Sequence, residues 1–156
     1  MLKAYKYRIY PNKQQEEQIQ KTFGCCRFVY NQMLAYRKEL YETKKESMSK
    51  IDCNNYVNQV LKKEYEWLKE VDRFALTNYN MDSAYQRFFK EHTGYPKFKS
   101  KRNKKKLYST NFTNGNIEVS FESNKIKLPK LKWVKAKIHR EFTGKIKSAT
   151  ISQISS

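Results

Sequence analysis

Polar and apolar positions alternate from Lys3 to Tyr10, with Tyr5, Tyr7 and Ile9 on one side and Lys6, Arg8 and Tyr10 on the other. A period of two predicts a half-buried strand, which Pro11 ends. From there the period lengthens to that of a helix. Asn12 is a cap with Gln15 three positions on, Ile19 and Phe23 share a face, and Gly24 supplies a left-handed stop, which predicts a first helix over about 12–23. A second helix follows from about Cys26 to Thr43, with Val29, Met33, Tyr36 and Leu40 along one face. Helix, glycine turn and helix make a helix-turn-helix-like hairpin, a signature shared by DNA-reading pairs and by any antiparallel helical hairpin.

A third helix starts at Ser49 or Asp52, turns Tyr56, Val60 and Leu61 inward and ends near Trp67 and Leu68, which form a hydrophobic lid. A fourth is capped by Asp72 and runs to about Glu91 with Leu76, Tyr79, Ala84, Tyr85, Phe88 and Phe89 on a broad apolar face. At helical spacing the stripe Tyr85, Phe88 and Phe89 reads first as core and second as a base-stacking platform. Composition changes at Gly94-Tyr95-Pro96. Beyond it lie short strands, at Leu107–Phe112, Ile117–Phe121, Lys125–Leu128, Trp133–His139 and Ile146–Ile151, separated by Asn-Gly, Ser-Asn, Pro-Lys and Thr-Gly steps. The expected fold is α+β: a small antiparallel β-barrel in which Lys3–Tyr10 pairs with the late strands and the helices form an inserted bundle. The expected parts are 1–11 as first strand, 12–106 as helical lobe with a basic strap, and 107–156 as the remaining barrel strands.

Charge sharpens this division. The 156 residues carry a formal net charge of +18. Residues 1–96 hold 17 basic and 12 acidic side chains, a net of +5, whereas residues 97–156 hold 16 basic and 3 acidic, a net of +13. Mixed charge suits solvated helix faces; a nearly acid-free stretch suits a surface that lies along phosphates. Nucleic acid is therefore the expected partner, ahead of an anionic membrane surface or plain solubility. With 15% aromatic residues the chain has the bulk to form a core. No uncharged apolar run approaches the roughly 18 residues that cross a bilayer, and no apolar leader follows Met1, so a spanning or secreted chain is not expected. Cys25, Cys26 and Cys53 are odd in number, two of them adjacent, so they read as small buried hydrophobes in a reducing, cytoplasmic setting.

Catalytic patterns are sparse. His92 and His139 stand in unrelated contexts, the four glycines form no phosphate loop, and Glu118, Glu122 and Glu141 give no convergent carboxylate set for divalent ions. No metal or cofactor is expected. The strongest feature is the basic strap, Lys97, Lys99, Lys101 and Arg102 extended by Lys104, Lys105 and Lys106. Pro96 starts it extended and alternation sets Lys97, Lys99 and Lys101 on one side with Phe98 between, which reads as a phosphate-tracking segment or as a solvated linker.

Four blocks, MLKAYKYRIYPNKQQEEQIQKTFGCCRFVYNQML, EWLKEVDRFALTNYNMDSAYQRFFKE, GYPKFKSKR and KIKLPKLKWVKAKIHR, resemble in order the amino-terminal half of the TnpB (OrfB) family, transposon-encoded RNA-guided DNA nucleases. The resemblance implies a wedge-like barrel with a helical recognition lobe, binding both DNA and guide RNA, the RNA reading sequence while the protein reads a short duplex motif. It implies duplex contacts at Arg73, Phe74 and Thr77, at the start of the fourth helix, and at Lys50 and Thr113. The family's RuvC-like catalytic acids and zinc cysteines have no counterpart here, so a binding module without nuclease activity is expected, with an unpaired strand edge around Ile146–Ile151. A stand-alone helix-turn-helix regulator, one part of a split nuclease completed by a separately encoded domain, and a decaying remnant are the other readings.

Overall fold

The computed structural model describes residues 2–78, 97–101 and 105–154, the side chains of Lys105 and Ile154 excepted. The expected positions Tyr79, Ala84, Tyr85, Phe88, Phe89, His92, Arg102 and Lys104 lie outside the described residues. The fold is α+β. A short strand, β1 (Arg8–Tyr10), leads into one helix, α1 (Lys13–Lys44), of 32 residues. Asn12 caps it as the sequence predicts: its side chain accepts from Gln15 N–H at 2.8 Å, and the Gln15 side chain accepts from Asn12 N–H at 2.9 Å.

The expected break at Gly24 is absent. Ile19, Thr22, Phe23, Cys26, Val29, Tyr30, Met33 and Leu34 are all buried, so one face stays in phase across the glycine. Burial of that face outweighs the roughly 0.5–1 kcal/mol that an interior glycine costs a helix. The helix-turn-helix-like hairpin over 12–43 is therefore a single straight-through helix. It ends instead at Lys45, which takes the left-handed conformation (φ 56°) and donates to the Leu40 and Tyr41 carbonyls.

Ser49 caps α2 (Lys50–Tyr56), with Asp52 closing the reciprocal bond. A π-helical turn, Val57–Leu61, then joins α2 to α3 (Lys62–Glu64). That wider turn sets Val57 and Leu61, four apart, on the buried side and rotates Val60 outward, against expectation. A 3-10 turn at Glu66–Glu70 buries Leu68 fully but leaves Trp67 42% exposed, so only half of the expected lid faces inward. Asp72 caps α4, described over Arg73–Thr77, through a 3.1 Å bond from Phe74 N–H.

Five strands follow: β2 (Lys105–Asn111), β3 (Glu118–Ser120), β4 (Lys125–Leu128), β5 (Lys132–Lys137) and β6 (Ser148–Ile154). They form two antiparallel sheets, one of four strands in the order β1-β5-β4-β3 and one of β2 with β6. The amino-terminal strand pairs with a late one, Arg8 opposite Lys137 and Tyr10 opposite Lys135, so the helices are an insertion as the sequence predicts. Among the described residues no ladder joins the two sheets into a closed barrel. Asn114 and Gly115 form the expected left-handed turn (φ 48° and 69°), yet it links strands of different sheets rather than a hairpin. β6 is held to β2 across seven residue pairs, so the carboxyl-terminal strand is laddered along one edge. One core unites these parts: α1, Leu61, Leu68 and Leu76 pack with Tyr108, Leu128, Val134 and Ile151.

Candidate nucleic-acid interface

The start of α4 is built on a buried acid. Asp72 is 6% exposed; its Oδ1 holds the Phe74 N–H, and its Oδ2 meets no hydrogen-bond donor among the described residues. This cap fixes Arg73 on the exposed first turn, with its guanidinium 4.8 Å from the Phe74 ring centroid. Phe74 is half-buried, covering that stack from one side. Burial, then the neighbouring charge of Arg73, pulls the Lys62 ammonium below the ordinary lysine value, with Lys69 acting in the same sense and Asp72 opposing. Three cations, Lys62, Lys69 and Arg73, therefore share one neighbourhood at the head of α4.

Asparagines tie the other end of α4 to β2 and its turn. Asn78 Nδ2 donates to Asn111 Oδ1 at 3.0 Å, Asn116 Nδ2 donates to the Asn111 carbonyl at 2.8 Å, and Thr113 N–H donates to Asn116 Oδ1 at 2.7 Å. Thr77, just before Asn78, and Thr113 are thereby brought to one place, both half-buried. Arg73, Phe74 and Thr77 thus share the short helix α4, and hydrogen bonds through Asn78, Asn111 and Asn116 connect the end of that helix to the turn that carries Thr113. Lys50 stands separately, exposed on the first turn of α2, and the asparagine chain does not reach it.

The strap lies along α1. Asn31 grips its backbone twice, accepting from Lys99 N–H at 2.8 Å and donating to the Lys99 carbonyl at 2.9 Å. Lys99 is consequently turned inward, its ammonium 4.7 Å from the Tyr30 ring centroid and, through burial, below the ordinary lysine value, a shift the Cys26 thiol opposes. Alternation places Lys97, Lys99 and Lys101 together; the structure leaves Lys97 and Lys101 exposed and packs Lys99. Phe98 is exposed beneath Lys38 at 5.5 Å. Lys106 pairs in β2 with Gln153 and Lys105 with Ile154.

A second basic region is the outer face of the four-stranded sheet; the sequence led to a basic barrel face beside the strap but did not single out its residues. Its signal was present in Lys132–Lys137, where exposed Trp133, Lys135 and Lys137 alternate with buried Val134 and Ala136. Cys25 and Cys26 are buried as expected, whereas Cys53 is only half-buried, its sulfur 3.9 Å from Arg37 Nη1. His139 makes an edge contact with Tyr7. Among the described residues no group of three or more His, Cys, Asp and Glu side chains could hold a metal ion, and no helix is long and apolar enough to cross a membrane.

Residues 1–46 match the helix-turn-helix domain of OrfB proteins, although this span folds here as β1 and one continuous helix. InsQ of Escherichia coli, named as a candidate RNA-guided DNA endonuclease, is 30% identical over 155 residues, which are 97% of this chain and 38% of InsQ. A Streptomyces pristinaespiralis protein with the same functional name is 31% identical over 103 residues, 64% of this chain and 26% of its own. Virulence protein VsdF of Salmonella dublin is 34% identical over 116 residues, 67% of this chain and 98% of VsdF. The chain thus spans well under half the length of the two relatives named for endonuclease activity.

Proposed function

Because the chain belongs to the TnpB/OrfB family, we propose that it is a nucleic-acid-binding module of a transposon-encoded protein, holding duplex DNA and guide RNA through separate surfaces. The observation that carries this reading is the hydrogen-bonded tie between the end of α4 and the β2–β3 turn, with Arg73 exposed at the head of that helix. In this reading Arg73 reaches a base edge or phosphate of a short duplex motif, Thr77 and Thr113 flank it, and Phe74 fixes the guanidinium in place. Lys50 supplies a more distant backbone contact. The strap contributes backbone charge through Lys97 and Lys101, continued by Arg102, Lys104, Lys105 and Lys106, while Lys99 anchors the strap rather than a phosphate. The two sheets act as the halves of the family's barrel-like wedge, 1–11 and 107–156, around the helical lobe 12–106. These 156 residues bind and do not cut; strand cleavage is supplied by nuclease residues outside them, on the same or another polypeptide.

The test is a comparison of two variants on duplex libraries at several salt concentrations. Arg73→Ala flattens sequence preference with a small loss of overall affinity. Lys97→Ala with Lys101→Ala weakens binding to every sequence and reduces the salt slope by about two, one for each phosphate that is no longer neutralised. Equal behaviour of the two variants, or plasmid cleavage by the purified chain with magnesium alone, overturns the assignment.

A further inference from the structure

The register of the four-stranded sheet places like charges directly opposite each other. Arg8 faces Lys137, and Lys125 faces Lys135. Directly opposed like charges destabilise a sheet, and among the described paired positions of this face the one acid is Glu118, opposite Lys127 at the β3 edge. Two aromatic rings stand among these cations. Tyr10 lies opposite Lys135 and is 47% exposed; Trp133 lies opposite Lys127 and is 41% exposed. Because Lys135 is two residues from Trp133 along β5, Tyr10 and Trp133 are diagonal neighbours, about 7–8 Å apart on one face. The opposite face carries Ile9, Val134 and Ala136 and is packed inward, whereas Tyr10 and Trp133 stand outside the buried core cluster.

We infer that this outer face is a stacking platform for single-stranded RNA, with Tyr10 and Trp133 receiving bases and Arg8, Lys125, Lys135 and Lys137 following the phosphates. Cations alone would serve a duplex, whose bases are hidden; exposed flat rings between the cations suit bases that are unpaired. RNA keeps loops and ends unpaired at equilibrium and is read by stacking on sheet aromatics, whereas DNA bases are bared only after a duplex is opened. Bound phosphates also neutralise the opposed like charges, so the ligand relieves a strain that the free sheet carries.

The inference rests on the reading of the chain as a nucleic-acid binder but uses a different surface. The chain has two tryptophans, so Trp67→Phe leaves Trp133 as the fluorescent reporter on the platform. Unstructured RNA, DNA of the same sequence, duplex DNA and inorganic polyphosphate are titrated into the full chain. RNA quenches Trp133, and polyphosphate binds without quenching. Tyr10→Ala then weakens RNA binding about tenfold while polyphosphate binding holds, and Tyr10→Phe restores the RNA affinity. Quenching by polyphosphate or duplex as deep as by RNA, tighter binding of the single-stranded DNA, or equal loss of RNA and polyphosphate in Tyr10→Ala overturns the inference. A duplex preference that Arg73→Ala leaves unchanged, with RNA quenching intact, refutes the duplex reading alone.

Discussion

Gly24 lies half-buried within the buried stretch of α1, and among the described residues the nearest atom to where a Cβ would stand is Arg27 Nη2, at 3.8 Å. The site accepts a methyl group without displacement. Gly24→Ala is expected to stabilise the chain by about 0.5–1 kcal/mol, read as a higher urea midpoint at unchanged m-value. Titratable groups nearby respond to alkali. Burial, reinforced by Cys25 and Asp72, holds the Cys26 thiol proton more tightly in the folded chain than in the unfolded one. Its pKa is raised by folding, so the associated stability is complete below the ordinary thiol value near pH 9 and is lost as pH climbs above it. Tyr108, raised by burial and then by Asp72 and Cys26, adds a further loss above about pH 10. Lys62 and Lys99, lowered on folding, act in the opposite sense as pH approaches the ordinary lysine value. Denaturant titrations from neutral pH to about pH 11 should show stability holding to about pH 9 and falling above it, a fall that Cys26→Ala reduces; a fall that begins only above about pH 10 and is unchanged in Cys26→Ala would assign it to Tyr108 instead.

Among the elements, the strap is tied to α1 most directly by the Asn31 side chain, beside the ring contacts of Lys99 with Tyr30 and of Phe98 with Lys38. Asn31 makes both hydrogen bonds to Lys99, and each contributes about 0.5–1.5 kcal/mol. Asn31→Ala should free the strap without unfolding the core, so tryptic cleavage at Lys97 and Lys101 accelerates about tenfold while the thermal midpoint moves little. This dependence also explains what the sequence could and could not reveal. Caps are local, so Asn12 with Gln15, Ser49 or Asp52, and Asp72 were all legible as helix starts, and the structure settles the middle one on Ser49. The glycine was misread because its local signal opposed a nonlocal one, the phase of Ile19 through Leu34. Strand positions were largely legible from alternation, although only Arg8–Tyr10 of the expected Lys3–Tyr10 is strand, and the pairing of this strand with a late one was legible from chain order, but the choice of β5 and the partition into two sheets are set by packing across the core. Likewise, alternation could not foresee that Asn31 would draw Lys99 inward, and the asparagine chain joining Thr77 to Thr113 has no signature in spacing at all.

Across the whole molecule, net charge and sheet register act against the folded state in the absence of a polyanion. Replacing one member of an opposed pair tests this. Lys125→Glu puts a carboxylate opposite Lys135 and is expected to add about 0.2–1 kcal/mol of stability at low salt, with the gain shrinking as salt is raised. A loss of stability instead would mean that the lysines are not in repulsive contact. The unbroken α1 carries a mechanical corollary. Thirty-two residues extend about 48 Å. At its head, the Gln15 amide bonds the Leu131 and Trp133 carbonyls beside the sheet. Such a rod has no hinge at which to absorb a displacement: a tilt of roughly five degrees at the sheet swings its far tip, near Lys45, by about 4 Å. Occupancy at one pole would therefore be felt as a lever stroke at the other.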